Sequence, residues 1–179
     1  ALPIYVGDAR FDLAALLRRG NFLNNSSVLF RAAGRRAWLD VEVPQIDYRA
    51  HLWHARHGWL GHIGEPLAVY RVGVAGSMVA SMNARVRELY WEAIQSVPRG
   101  LVDDDDYARG IADFLRRVAF RAMRKRDVSL LAQWSPRVFH ASPYGKARTF
   151  SLVVANIARM AALELAGRLP GRVRVLYRR

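Results

Sequence analysis

Apolar and polar positions along the chain change period near residue 78, and the change divides it in two. Residues 11 to 19, Phe11-Asp12-Leu13-Ala14-Ala15-Leu16-Leu17-Arg18-Arg19, place apolar side chains at helical spacing and stop at Gly20, which predicts a short helix. The next stretch, residues 21 to 31, opens with turn formers and ends in Val28-Leu29-Phe30, predicting a loop that feeds a buried strand. Beyond Pro44, the run from Asp47 to His57 predicts a helix with an acid near its start and Gly58 after its end. Residues 63 to 72, interrupted by Pro66, read as a pair of short strands or one edge strand.

From Met78 onward the apolar spacing is helical. After Asp103, the side chains of Tyr107, Ile111, Phe114, Leu115, Val118 and Ala122 form one stripe, and arginines fill much of the remainder. A further helix is predicted from Thr149 to Leu169, with Phe150, Val153, Val154, Ile157, Ala161 and Leu165 on one face. Arg159 and Glu164 interrupt its apolar run, so it is a poor membrane span. The fold class expected is α/β and α-rich, with residues 1–77 and 78–179 as the two parts.

Composition supports one packed core with room for a small appended unit: 52% of the 179 residues are hydrophobic and 11% aromatic. There is no cysteine, which excludes disulfides, thiolate metal sites and thiol redox chemistry. The first residues carry neither an initiator methionine nor a basic segment followed by an apolar run, so no signal peptide is expected there. The chain is expected to begin within a longer protein. A net charge of +13, carried by arginine apart from Lys125 and Lys146, points to anionic partners: nucleotide diphosphate, lipid phosphate, an acidic membrane surface or nucleic acid. A coding bias toward arginine in the source genome would produce the same excess.

Three segments in order resemble the second half of the catalytic domain of family-two glycosyltransferases. They are Asn-Phe-Leu-Asn-Asn-Ser-Ser-Val-Leu-Phe-Arg at 21–31, Asp47-Tyr48 opening a helix, and Gly58-Trp59-Leu60-Gly61-His62-Ile63 with Glu65-Pro66-Leu67-Ala68-Val69-Tyr70-Arg71. The likeness covers residues 11 to 77. It implies the acceptor-side half of a glycosyltransferase A-type fold followed by a helical C-terminal region, with the donor-binding half outside this chain. It also implies inverting transfer of a sugar from a nucleotide-sugar to a saccharide or lipid-linked acceptor, in the cytoplasm or at the inner face of the membrane. Asp47 becomes the general base, with Asn24, Ser26 and Ser27 lining the acceptor or donor edge. Arg71 either approaches a phosphate or acceptor, or forms a structural salt bridge. A divalent ion, Mg or Mn, is implied, with ligands mostly outside the chain and none assigned within it. Many relatives place a histidine soon after the Tyr-Arg pair, where this chain has Val72-Gly73-Val74-Ala75-Gly76-Ser77, so the role usual at that position is not carried over.

Inverting transfer needs one base to take the acceptor hydroxyl proton while that oxygen attacks the anomeric carbon opposite the leaving diphosphate. A helix start holds a carboxylate rigidly and its amides favour the charged form, while burial beneath an acceptor opposes it. Helix capping alone is the competing account of Asp47. His51, His54 and His57 fan around their predicted helix rather than converge, so they are expected to be solvated or core-edge side chains and not metal ligands. Asp103 to Asp106 resemble the acidic metal motif of such enzymes but immediately precede a helix whose end carries Arg124, Lys125 and Arg126, so dipole complementation is the expected role. Trp53 and Trp59 are expected to pack in the core in preference to stacking on sugars. The cluster of Arg116, Arg117, Arg121, Arg124, Lys125 and Arg126 either rests on an anionic membrane or forms a solvated face. The alternative reading of the whole chain is a basic helical nucleic-acid-binding module, although zinc-finger spacing and an RNA-recognition strand motif are missing.

Overall fold

A computed structural model describes residues 9–23, 28–29, 46–63 and 84–168. These form six α-helices and one two-stranded sheet, so the α-rich expectation holds. The chain divides into two compact units, Ala1–Ile111 and Ala112–Arg179. The junction expected at residue 78 lies outside the described residues.

In the first unit, β1 (Ala9–Phe11) precedes α1 (Leu13–Arg19). The helix expected from residue 11 starts two positions later, because the Asp12 carboxylate accepts the Ala15 N–H at 2.7 Å and fixes the start. Such a cap contributes about 1 kcal/mol. Phe11 stays in the strand, with its ring edge-on to Phe22 at 5.1 Å. Leu16 and Leu17 are fully buried, each removal from water favouring the fold by about 1.5–3 kcal/mol. The helix α2 (Asp47–Ala55) stops earlier than the glycine signal suggested, with Arg56 and His57 in the turn that follows. Its buried Tyr48, His51, Leu52 and Ala55 follow helical spacing and make one face. The Tyr48 hydroxyl donates to Leu16 O at 3.2 Å, fastening α2 to α1.

The strand β2 (Leu60–His62) pairs antiparallel with β1, Phe11 opposite Leu60 and Ala9 opposite His62. It lies just before the strand expected from residue 63. Ile63 is exposed, and residues 64 to 72 lie outside the described set. The buried strand expected to end at Phe30 is not formed at Val28-Leu29: Leu29 is 98% exposed, and among the described residues only β1 and β2 pair. The helix α3 (Ala84–Gln95) packs on α2, with Tyr90 stacked on Tyr48 at 5.2 Å.

A 3-10 turn at Arg99–Leu101 leads into α4 (Asp104–Lys125). Residues 104–111 of α4 belong to the first unit. There Gly110 lies so close to α1 that an added Cβ would come within 3.1 Å of Leu17 O. Asp104, Asp105 and Asp106 occupy the first turn and pair with Arg99, Arg109 and Arg18 respectively. With Arg124 and Lys125 in the last turn, these first-turn acids stand where dipole complementation was expected, and Asp103 precedes the helix.

In the second unit, the α4 stripe of Phe114, Leu115, Val118 and Ala122 is buried. The helix α5 (Ser129–Ala141) has Pro136 within it and buries Leu130, Trp134 and Val138 at four-residue spacing. Phe114 meets Trp134 edge-on at 4.9 Å. The helix α6 (Lys146–Arg168) begins three residues earlier than expected, where Thr149 donates to Gly145 O from both its N–H and its hydroxyl. No helix among the described residues is long and apolar enough to cross a membrane.

Candidate functional site

The glycine that ends α1 sets up the site. Gly20 has φ 68°, a conformation L side chains rarely adopt, and its N–H returns to Leu17 O at 3.3 Å. The chain thereby turns back, and Asn21 Oδ1 accepts from His51 Nδ1 at 3.1 Å. Asn21 heads the segment that continues in sequence to Asn24, Ser26 and Ser27. Those three residues, and Arg71, lie outside the described residues.

Asp47 is the first residue of α2, after Ile46 at the cap. It is half-buried, and its Oδ1 accepts the Tyr48 N–H at 2.8 Å. The carboxylate therefore satisfies one first-turn amide. Four residues on, His51 is fully buried, which corrects the expectation of a core-edge side chain. The physical reason is its position on the α2 face that packs inward with Tyr48, Leu52 and Ala55. Burial lowers the His51 pKa below its ordinary value of 6.5; Asp47 opposes that shift and His54 adds to it. His54 is also lowered, by burial first and then by His57.

A folded-state pKa below the unfolded value means that the unfolded chain binds more protons in the interval between them. The stability contributed by neutral His51 is thus present above pH 6.5 and is lost as pH falls through the folded-state value. His51→Gln should flatten the fall in melting temperature between neutral and mildly acidic pH, read by circular dichroism. An unchanged slope would assign the acid sensitivity to other groups.

His57 is exposed and lies against Trp53, with ring centroids 4.3 Å apart, while its Nδ1 donates to Trp53 O at 2.9 Å. The three histidines do not converge. Among the described residues, no group of three or more His, Asp or Glu side chains could hold a metal ion.

A cleft of about 290 Å³ opens at the other end of α2, lined by Asp12, Ala55, Arg56, Gly58, Trp59 and Leu101 among others. Its lining does not include Asp47, which stands at the far end of the nine-residue helix, roughly 12 Å away along the axis. Trp59 is 68% exposed, so the core packing expected of it is not found: it immediately precedes β2 and is among the residues that line the cleft. Trp53, by contrast, is half-buried. Arg56 donates through Nη2 to the Ser96 carbonyl and to Ser96 Oγ, the latter at 3.2 Å. Burial, and secondarily Arg49, lower its pKa from the ordinary arginine value. The exposure of Trp59, which shares the lining of this cleft with Arg56 and Asp12, was missed in the sequence, where a tryptophan between Gly58 and a short strand carries no mark of exposure. Comparison of the chain with protein-family models, curated proteins and solved structures finds no match.

Proposed function

We propose that this chain is the acceptor-side half of an inverting glycosyltransferase in which Asp47 is the general base. The observation that carries this reading is the half-buried carboxylate on the first turn of α2, oriented through Oδ1 by the Tyr48 N–H. Oδ2 is then the oxygen assigned to the acceptor hydroxyl proton. As the proton moves to Oδ2, the acceptor oxygen forms its bond to the anomeric carbon and the nucleotide diphosphate leaves with the electrons of the broken glycosidic bond. His51, tied to Asn21, braces the base-bearing helix against the loop that leads in sequence to Asn24, Ser26 and Ser27.

These three residues are proposed to line the acceptor or donor edge, and Arg71 a phosphate or the acceptor. Trp59 offers an exposed aromatic face, on which a ring of an extended acceptor can stack. The location implied is the cytoplasm or the inner face of the membrane. The divalent ion that the resemblance implies would have its ligands mostly outside this chain, and no step is assigned to it.

The test is an assay of labelled nucleotide-sugar turnover by the full-length protein and by this chain alone. Transfer to a saccharide or lipid-linked acceptor is expected from the former and none from the latter. An upstream coding sequence without a βαβ unit ending in an acidic metal motif would overturn the proposal.

A further inference from the structure

The six cations gathered at 116–126 in the sequence separate into different environments. Arg116 and Arg117 are taken up by the buried Asp113, at 2.8 and 2.7 Å. Arg124, Lys125 and Arg126 are exposed, at the end of α4. On either side of them stand two exposed apolar residues, Met123 at 57% and Val128 at 78%. The only acid between them, Asp127, is turned toward the start of α5, where its Oδ1 accepts from the Ser129 N–H and hydroxyl.

The backbone holds this corner in a defined shape. The Asp127 N–H reaches back to Ala122 O at 2.9 Å and the Arg126 N–H to Met123 O at 3.2 Å, the pair of bonds that ends a helix through a left-handed residue. Arg126 is that residue, with φ 54°. Glycine adopts this conformation with less strain, yet the position carries a cation.

We propose that the α4–α5 corner, Met123 to Val128, is a docking surface for an anionic lipid bilayer. The three cations meet lipid phosphates, while Met123 and Val128 enter the boundary between headgroups and acyl chains. A helix end presented to the surface lets Arg124 and Lys125 reach down together, because their long stems bend along apolar material while their charges stay in water. The two exposed apolar side chains favour a bilayer over nucleic acid, whose phosphate backbone offers them no apolar layer. This surface does not rest on the Asp47 reading.

The experiment is sedimentation of the chain with vesicles of phosphatidylcholine alone and with vesicles containing phosphatidylglycerol as well. Binding is expected only to the anionic vesicles. Each cation removed should weaken it by about fivefold, so Arg124→Gln with Lys125→Gln should lose more than about tenfold. Arg126→Gly is the sharper variant: it should weaken binding by about fivefold while the melting temperature stays level or rises. Met123→Ser with Val128→Ser should also weaken binding, whereas Asp47→Asn should leave it unchanged. Equal binding to neutral vesicles, or full binding by the doubly uncharged variant, would overturn the proposal. So would duplex DNA binding that shares the charge dependence while Met123→Ser with Val128→Ser leaves vesicle binding intact.

Discussion

On the glycosyltransferase reading proposed above, Asp47→Asn is expected to lower kcat for sugar transfer by about 10²- to 10⁴-fold, the range that a positioned general base contributes. The substitution is chosen for what it retains. Asparagine keeps a side-chain oxygen that can accept the Tyr48 N–H, now at 2.8 Å from Oδ1, so the start of α2 should keep its geometry. The charge is lost from a helix N-terminus, at a cost of about 0.3–1 kcal/mol. The rate effect, some 3–5 kcal/mol by conversion, is much the larger. In the transfer assay that tests that reading, kcat should collapse with KM and the unfolding midpoint nearly unchanged. Turnover within a few-fold of the unmodified enzyme would reduce Asp47 to a helix-start residue, as would a loss of activity that merely follows a loss of folding.

Trp134→Ala is expected to destabilise the second unit by about 3–5 kcal/mol. Trp134 is 1% exposed, meets Phe114 edge-on, and has the Arg137 guanidinium 4.3 Å from its ring centroid. Truncation would leave a void between α4 and α5 that the remaining side chains of that core cannot fill. At the usual 0.05–0.15 kcal/mol per residue, a unit running from 112 to 179 has only about 3–10 kcal/mol of stability in all. A substantial unfolded fraction should therefore appear at room temperature, seen as reduced helical ellipticity and an early denaturant midpoint. Trp134→Phe should recover part of the loss. A shift in the alanine variant equivalent to less than about 1 kcal/mol would mean that this core is not organised around the indole.

Legibility in the sequence followed the strength of periodicity. The α4 stripe was readable because every residue of it, from Tyr107 to Ala122, is buried where the spacing placed it. The first turn of that helix was readable too, since consecutive aspartates have a simple electrostatic reason to stand there. Within the helical region after Met78 no separate bounds were assigned to α5; it contains Pro136, and the buried spacing of Leu130, Trp134 and Val138 outweighs the lost backbone bond. On α6 the expected face proved wider than the buried one. Thr149 and Val153 are buried, while Phe150 and Val154 are 59% and 46% exposed.

Of the candidate site, the helix bearing Asp47 was legible, but not the contact between His51 and Asn21. That contact depends on a turn at Gly20 that brings together residues thirty positions apart. Trp59 was misread because local composition cannot say whether a ring beside a short strand has anything above it.

The brevity of α1 bears on the order in which the protein takes shape. Seven residues close too few backbone bonds to persist in water, and β1 has its partner only at Leu60–His62. During synthesis, the segment around Leu16 and Leu17 must therefore emerge unformed and greasy, and wait for some forty further residues before its neighbours arrive. In that interval its apolar side chains are open to capture by a chaperone.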